Sequence, residues 1–270
     1  MTIKEGPLEL LLKMQGRSAM VTGAAGALGR VFSETLAEMG FDLLLVDRDG
    51  LALKGLAEGL SEFWAAKVDL FECDLEDSDA RLELIESIKD RSSLDVLVNN
   101  AAFVGDSNLE GWATPFEQQS LDTWRRALEV NLTAPFSLTQ GLVPLLNRSP
   151  AASIINIGSI YGFLGPDWQL YEGTSMSNPA AYSSSKGGLI QLTRWLSTTL
   201  GPKIRVNCIS PGGIARGQPV KFTDRYTART PLGRMATEDD FRGAIAYFAS
   251  DLSRYVTGQN LCVDGGWSVW

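Results

Sequence analysis

The stretch Ser18-Ala19-Met20-Val21-Thr22-Gly23-Ala24-Ala25-Gly26-Ala27-Leu28-Gly29 decides how the rest of the chain is read. Ser18–Thr22 is a short apolar run that reads as a buried strand. From Ala27 to Met39 the period changes. Leu28, Val31, Phe32, Leu36 and Met39 share one helical face, and Gly40 closes the helix. Between strand and helix, glycine recurs at 23, 26 and 29. Glycine lets a backbone turn tightly and approach a ligand closely, and a helix start offers free N–H groups and positive dipole to an anion. Strand, glycine turn and helix in that order form a cradle for a pyrophosphate, with Gly23, Ala25, Gly26, Leu28 and Gly29 as its contacts. Alone, the trio also fits a plain strand–helix turn, so the reading depends on its surroundings.

Downstream the alternation continues. Further strands are expected at Asp42–Val46, Val68–Cys73, Leu94–Val98, Ser153–Ile157, Ile204–Ile209 and Asn260–Val263. Helical patterns cover Leu51–Phe63, Ser78–Lys89, Leu121–Leu146, Ala181–Leu200 and Glu238–Ser250. Pro135 should kink or interrupt the third of these. Strands alternating with helices predict an α/β fold, a Rossmann-type doubly wound sheet of about seven parallel strands with helices on both faces. The chain reads as a single domain over 1–270, with 1–15 as an N-terminal extension. Two long irregular stretches, 162–179 and 211–232, each follow a strand. Both should therefore lie at the carboxyl edge of the sheet, where ligands bind in this architecture, and both read as substrate loops.

Composition removes several function classes. The 270 residues hold 32 acidic and 24 basic side chains, a net charge of −8. That argues against nucleic acid or an anionic membrane as partner. The chain has no histidine, which excludes Ser-His-Asp and Cys-His nucleophiles and imidazole-based zinc sites. No metal site is expected. Acid–base work falls to Tyr, Lys, Asp, Glu or Cys. Cys73, Cys208 and Cys262 form no CxxC pair and suit a reducing compartment. The apolar run Leu10–Leu12 is too short for a signal peptide, and no stretch reaches the ~20 apolar residues of a membrane span. A cytoplasmic protein acting on a small molecule is expected.

Two further features carry chemistry. Asp47 lies 24 residues beyond Gly23, just past the second strand. A carboxylate there can accept hydrogen bonds from an adenosine ribose and would repel a 2′-phosphate, which favours NAD over NADP. Arg48 beside it could tolerate that phosphate, and in isolation Asp47 also reads as a solvated turn residue. Tyr182 and Lys186 open the long helix at i and i+4, neighbours on one face. A nearby ammonium lowers a tyrosine pKa from its reference near ~10, which would make Tyr182 a usable acid–base group. Such a pair is commonly a mere surface contact; its position after a dinucleotide-type half gives it weight.

At this point the chain resembles the short-chain dehydrogenase/reductases, in their compact single-domain branch, from Gly16 to Trp267. The resemblance rests on the glycine loop, Asp74-Leu75, Asn99-Asn100-Ala101-Ala102, Asn131, Ser159 after Ile154–Gly158, Tyr182 with Lys186, Pro211-Gly212-Gly213 and the closing Val263-Asp264-Gly265-Gly266. It implies that Tyr182 moves the substrate proton, Ser159 bonds the reacting oxygen, and Lys186 binds the nicotinamide ribose and lowers the Tyr182 pKa. It implies that Asn131 supports a water relay to Lys186. It also implies that Asp74 meets the adenine, Asn99 the adenosine-side ribose and Ile214 the carboxamide. Leu75, Asn100, Ala101, Pro211 and Gly212 belong to the same cofactor surface. A homotetramer, paired through the long helices and the C-terminal segment, is implied too.

The chain departs from the family in three places. Ala27 stands where a loop glycine is usual, which gives a Gly-x-x-Gly-x-x-Gly spacing closer to the extended, nucleotide-sugar branch. Arg216 stands where relatives often have Thr, which leaves one carboxamide or phosphate contact open. Ser159 and Tyr182 are 23 residues apart, wider than the family's usual spacing. The surplus holds Asp167, Trp168, Tyr171 and Glu172, types that suit a sugar: rings pack on C–H faces and carboxylates bind hydroxyls. The same loop could instead serve a subunit contact, the role favoured for Trp267 and Trp270. The resulting reading is an oxidoreductase moving hydride between NAD(H) and a secondary alcohol or ketone, sugar-derived in the sharper form. Its alternatives are a nicotinamide-retaining sugar epimerase or dehydratase, and a non-catalytic nucleotide-binding protein on the same fold.

Overall fold

Seven runs become strands: β1 (Ser18–Thr22), β2 (Asp42–Asp47), β3 (Val68–Glu72), β4 (Val96–Asn99), β5 (Ala152–Ile157), β6 (Ile204–Pro211) and β7 (Asn260–Val263). In this computed structural model, which describes residues 6–105 and 109–270, they pair in parallel in the order β3-β2-β1-β4-β5-β6-β7. The helices are α1 (Pro7–Leu12), α2 (Ala27–Glu38), α3 (Gly50–Trp64), α4 (Ser78–Ile88), α5 (Leu121–Leu128), α6 (Ala134–Leu146), α7 (Ala180–Leu200), α8 (Val220–Arg229) and α9 (Arg242–Ala249).

The period-two alternation of the strands sends neighbouring side chains into two separate cores. Val21, Leu45, Val98 and Ile155 pack with Phe32 and Leu36 of α2, Leu53 and Leu56 of α3, and Ile245 and Phe248 of α9. Their neighbours Met20, Leu44, Leu97 and Ile154 face Leu84 of α4, Leu138 and Leu142 of α6 and Leu196 of α7. Covered on both faces, the central strands can be apolar at almost every position. The edge strands β3 and β7 expose part of theirs, including Leu70 and Leu261. The strand order reverses beside β1, between β2 and β4. That switch point opens a crevice at the carboxyl ends of β1 and β4, into which the glycine loop runs.

Three local expectations need correction. The interruption expected at Pro135 is a π-turn over Glu129–Thr133, and Pro135 sits in the first turn of α6, where its missing N–H costs nothing. The stretch 211–232 is not irregular throughout, because it contains α8. The N-terminal extension carries the short helix α1 within its described part.

Candidate active site

The glycine loop is shaped by contacts that leave no room for side chains. Gly23 has φ +62°, and a Cβ there would fall 2.8 Å from Ala101 Cα; one on Gly29 would fall 2.0 Å from the Gly23 carbonyl oxygen. Asn100 holds the loop from β4: its Nδ2 donates to the carbonyls of Thr22 (2.9 Å) and Gly23 (3.0 Å). The Thr22 hydroxyl accepts from the backbone N–H groups of Asn100 and Ala101. No side chain caps the N-terminus of α2, whose N-cap is Gly26. Its free N–H groups and dipole, behind a loop of glycines and alanines, fit a pyrophosphate. Ala25 and Leu28 line the same turn.

Asp47 ties this loop to the end of β2. One carboxylate oxygen accepts from Ala25 N (2.9 Å) and the other from Asp49 N (3.1 Å). Beside it lies a cavity of about 740 Å³ walled by Arg48, Asp49, Glu72 and Asp74, among others. Three acidic residues and one arginine thus line it. Leu75 is buried, and its carbonyl accepts from Arg81 (2.5 Å). Asn99 turns inward: it is 2 % exposed, and its Nδ2 donates to Asn156 Oδ1 (2.8 Å), which links β4 to β5.

Ser159 follows β5 immediately and caps the short turn Ile160–Gly162, its hydroxyl accepting from Tyr161 N (3.2 Å). Tyr182 and Lys186 project from successive turns of α7 toward it. Burial raises the Tyr182 pKa, while hydrogen bonding with Ser159 and the positive charge of Arg216 pull it down. Lys186 is 2 % exposed and donates from Nζ to the Ile157 carbonyl (2.7 Å). Burial brings its pKa down to about 8. Its Nζ lies 5.9 Å from the Tyr182 ring centroid. The ammonium is turned to a β5 carbonyl, and at Tyr182 burial outweighs the two groups that favour phenolate.

Asn131 lies in the π-turn and is fully buried. Its Oδ1 accepts from Phe103 N (2.6 Å), and its Nδ2 donates to Phe103 O (3.1 Å) and to the Ser185 hydroxyl (3.0 Å). It thus joins the segment after β4 to α7 one residue before Lys186. Pro211 ends β6, Gly212 N donates to Val263 O (3.0 Å), and Ile214 bridges to Ala236. The fold brings the glycine loop, Asn100, Ser159, Tyr182 and the Pro211–Ile214 segment to one sheet edge.

The insertion 162–179 packs between the start of α7 and α8. Its Trp168 lines a cavity of about 700 Å³ with Phe116, Gln119, Asn178, Ser183 and Ser184. Ser183 and Ser184 lie on the flank of α7 away from Tyr182, at helical spacing. Tyr171 is buried, and its hydroxyl meets that of Tyr161 at 2.6 Å. Glu172 is exposed, and its backbone carbonyl accepts from Arg225 of α8 (2.6 Å). Asp167 pairs with Arg229 of α8. A run of rings, Trp168, Tyr171, Phe222, Tyr226 and Trp267, continues the junction at centroid separations of 5.9, 5.4, 5.8 and 5.5 Å. Tyr171, Glu172 and Asp167 are thus engaged with α8 and its neighbours instead of lining that cavity. Trp267, expected at a subunit contact, packs inside this ring column, whereas Trp270 is 74 % exposed.

A family model described as enoyl-(acyl carrier protein) reductase matches residues 23–268. The 3-oxoacyl-[acyl-carrier-protein] reductase FabG of Thermotoga maritima is 31 % identical over 264 residues, covering 94 % of this chain and 99 % of that protein. The chain is a short-chain dehydrogenase/reductase. It is accordingly an enzyme, of the NAD(P)-dependent oxidoreductase type acting on CH–OH groups. Solved structures of this family superpose closely. A short-chain dehydrogenase from Leptospira borgpetersenii with bound NAD+ is 29 % identical, with a TM-score of 0.83, covering 99 % of this chain and 98 % of its own. A gluconate 5-dehydrogenase from Burkholderia cenocepacia, in complex with NADP and tartrate, is 26 % identical, again with a TM-score of 0.83, covering 97 % and 99 %.

In this short-chain dehydrogenase/reductase several site residues escaped the sequence reading. Asp49 and Glu72 border the cavity beside Asp47; their positions at strand ends were the available signal. Tyr161 and Ser185 stand behind Ser159 and Asn131 through contacts that no local pattern announces. The action of Arg216 on Tyr182 joins segments more than thirty residues apart in the chain.

Proposed function

We propose that the enzyme moves hydride between NAD(H) and a secondary alcohol or ketone, sugar-derived in its natural substrate, with Tyr182 as acid and base. The observation that carries this is the meeting of Ser159 and Tyr182 at the sheet edge that also holds the glycine loop. A bound nicotinamide would supply the hydride chemistry. Tyr182 would give its proton to a carbonyl oxygen, or take one from a hydroxyl. Ser159 would hold that oxygen by a hydrogen bond. A raised phenol pKa keeps Tyr182 protonated at neutral pH, which suits carbonyl reduction. Lys186 would bind the nicotinamide ribose, and Asn131 would keep the Phe103 segment and α7 in register. Asp47, Arg48, Asp74 and Ile214 remain the proposed cofactor contacts, whereas the Asn99 side chain, expected at the adenosine-side ribose, is buried against Asn156 and is withdrawn from that role. Three carboxylates beside the proposed ribose site support NAD over NADP. A homotetramer in the cytoplasm completes the reading; exposed Phe136 of α6 and Trp195 of α7 support pairing through those helices.

The test is Tyr182→Phe. Turnover should fall by about a thousandfold, while NADH affinity, read by quenching of tryptophan fluorescence, stays within about twofold. Near-normal turnover would remove Tyr182 from the mechanism. A tightly retained nucleotide with no net cofactor turnover would point instead to an epimerase or dehydratase.

A further inference from the structure

Arg216 follows the Pro211–Ile214 segment at the sheet edge that holds Ser159 and Tyr182, and its backbone is tied on both sides. Its backbone N–H donates to Gln218 Oε1 (2.7 Å), and Gln218 Nε2 donates back to Ile214 O (2.7 Å). Ala215 N donates to Ala236 O (2.9 Å), and Ala236 N to Gly213 O (3.0 Å), which pins the segment to the turn before Glu238. The side chain is fixed at one point only, where Nε donates to Glu238 Oε1 (3.0 Å). Neither Nη atom meets an acceptor among the described residues, and the side chain remains half exposed. The charge nevertheless acts on the Tyr182 phenol, which lies in a different segment of the chain.

A guanidinium so held, with two parallel N–H donors free, matches a carboxylate in shape and charge. Glu238 offsets the charge from the Nε side and leaves the Nη edge open to a second anion, while the pyrophosphate is assigned to the α2 N-terminus at the glycine loop. We infer that Arg216 is a specificity residue that binds a carboxylate of the substrate, so that the enzyme acts on a hydroxy acid or oxo acid and not on a neutral polyol. This rests on the oxidoreductase reading above and names its substrate class. Glu238 is the positioning residue that aims the guanidinium.

The experiment pairs C4–C6 sugar acids with the polyols of the same carbon chains. It measures NAD+-dependent kcat/KM and, separately, binding of each compound to the enzyme–NADH complex by tryptophan fluorescence. The acids should be preferred by at least about tenfold. Arg216→Gln should collapse the acid-to-polyol ratio toward unity, chiefly through KM, with Arg216→Lys recovering part of it. NADH affinity should stay unchanged. A wild-type preference for polyols overturns the inference. So does equal loss on both classes, or weakened NADH binding in Arg216→Gln, which would make Arg216 a cofactor ligand. Binding separates this from failure of the parent reading. Carboxylates that bind in an Arg216-dependent way without turnover uphold the inference and defeat hydride transfer; turnover without carboxylate dependence does the reverse. Neither binding nor turnover of any acid defeats both.

Discussion

Tyr182 sits where burial and two polar neighbours pull its proton in opposite directions, and burial wins. A protonated phenol donates, so carbonyl reduction should hold its rate from neutral pH upward until the phenol ionises. Alcohol oxidation should instead gain rate as pH rises through that ionisation. Opposed pH–rate limbs in the two directions, both lost in Tyr182→Phe, are the expected result. Lys186 offers a separate test, in stability. Its folded pKa of about 8 lies below the ordinary lysine value of 10.5, because burial disfavours the ammonium. Below the folded value both states carry the proton, and folding bears the full cost of burying it. Between about 8 and 10.5 the unfolded chain binds more protons, so stability rises with pH across that window. The gain is of order 3 kcal/mol at most. Cys73 and Cys208, both pushed up to about 11, act in the opposite sense above pH 9. Chemical denaturation of wild type and Lys186→Met between pH 7 and 10 isolates the lysine: the rise should vanish in the variant. Tyr182 and Lys186 were legible in the sequence as an i, i+4 pair on one helix, and Ser159 through the family resemblance. The orientation of the Lys186 ammonium was not, because the Ile157 carbonyl that captures it belongs to another element.

At the scale of elements, burial decided what could be read. The central strands were legible because they are covered on both faces and so are apolar at most positions. Helix α8 was not, because it buries only Phe222 and Tyr226, an i, i+4 pair within an otherwise polar segment. Its Phe222 stacks between Tyr171 and Tyr226 and is 5 % exposed. Phe222→Ala should cost about 3 kcal/mol of local stability. The checking measurement is hydrogen exchange, with faster exchange expected both in α8 and in the 162–179 insertion. The glycine loop makes a sharper prediction. Gly29→Ala would drive a methyl group to within 2.0 Å of the Gly23 carbonyl, so the turn must open. NADH quenching should disappear in that variant while far-ultraviolet circular dichroism keeps its helical signal.

For the whole molecule, the parallel sheet of about seven strands with helices on both faces was legible in the alternation of strands and helices, whereas the order of those strands comes from the structure. What alternation does not specify is charge gathered from different loops. The cavity beside Asp47 collects Asp49, Glu72 and Asp74 from two separate strand ends against Arg48 alone. NADH should therefore bind at least about tenfold more tightly than NADPH, titrated side by side by fluorescence quenching. Equal affinities would mean that Arg48 balances the carboxylates. Assembly is tested on the opposite surface: Trp195 is 55 % exposed on α7. Trp195→Glu should shift the sedimentation coefficient to a smaller species if the long helices pair between subunits.

The junction of the 162–179 insertion with α8 has a consequence for engineering. Arg225 and Arg229 hold the insertion through backbone carbonyls and Asp167, and Phe222 seats its Tyr171. Transplanting the insertion alone into a shorter relative would deliver a loop with nothing to grip. A graft should therefore carry both segments, as one cassette interrupted by α7.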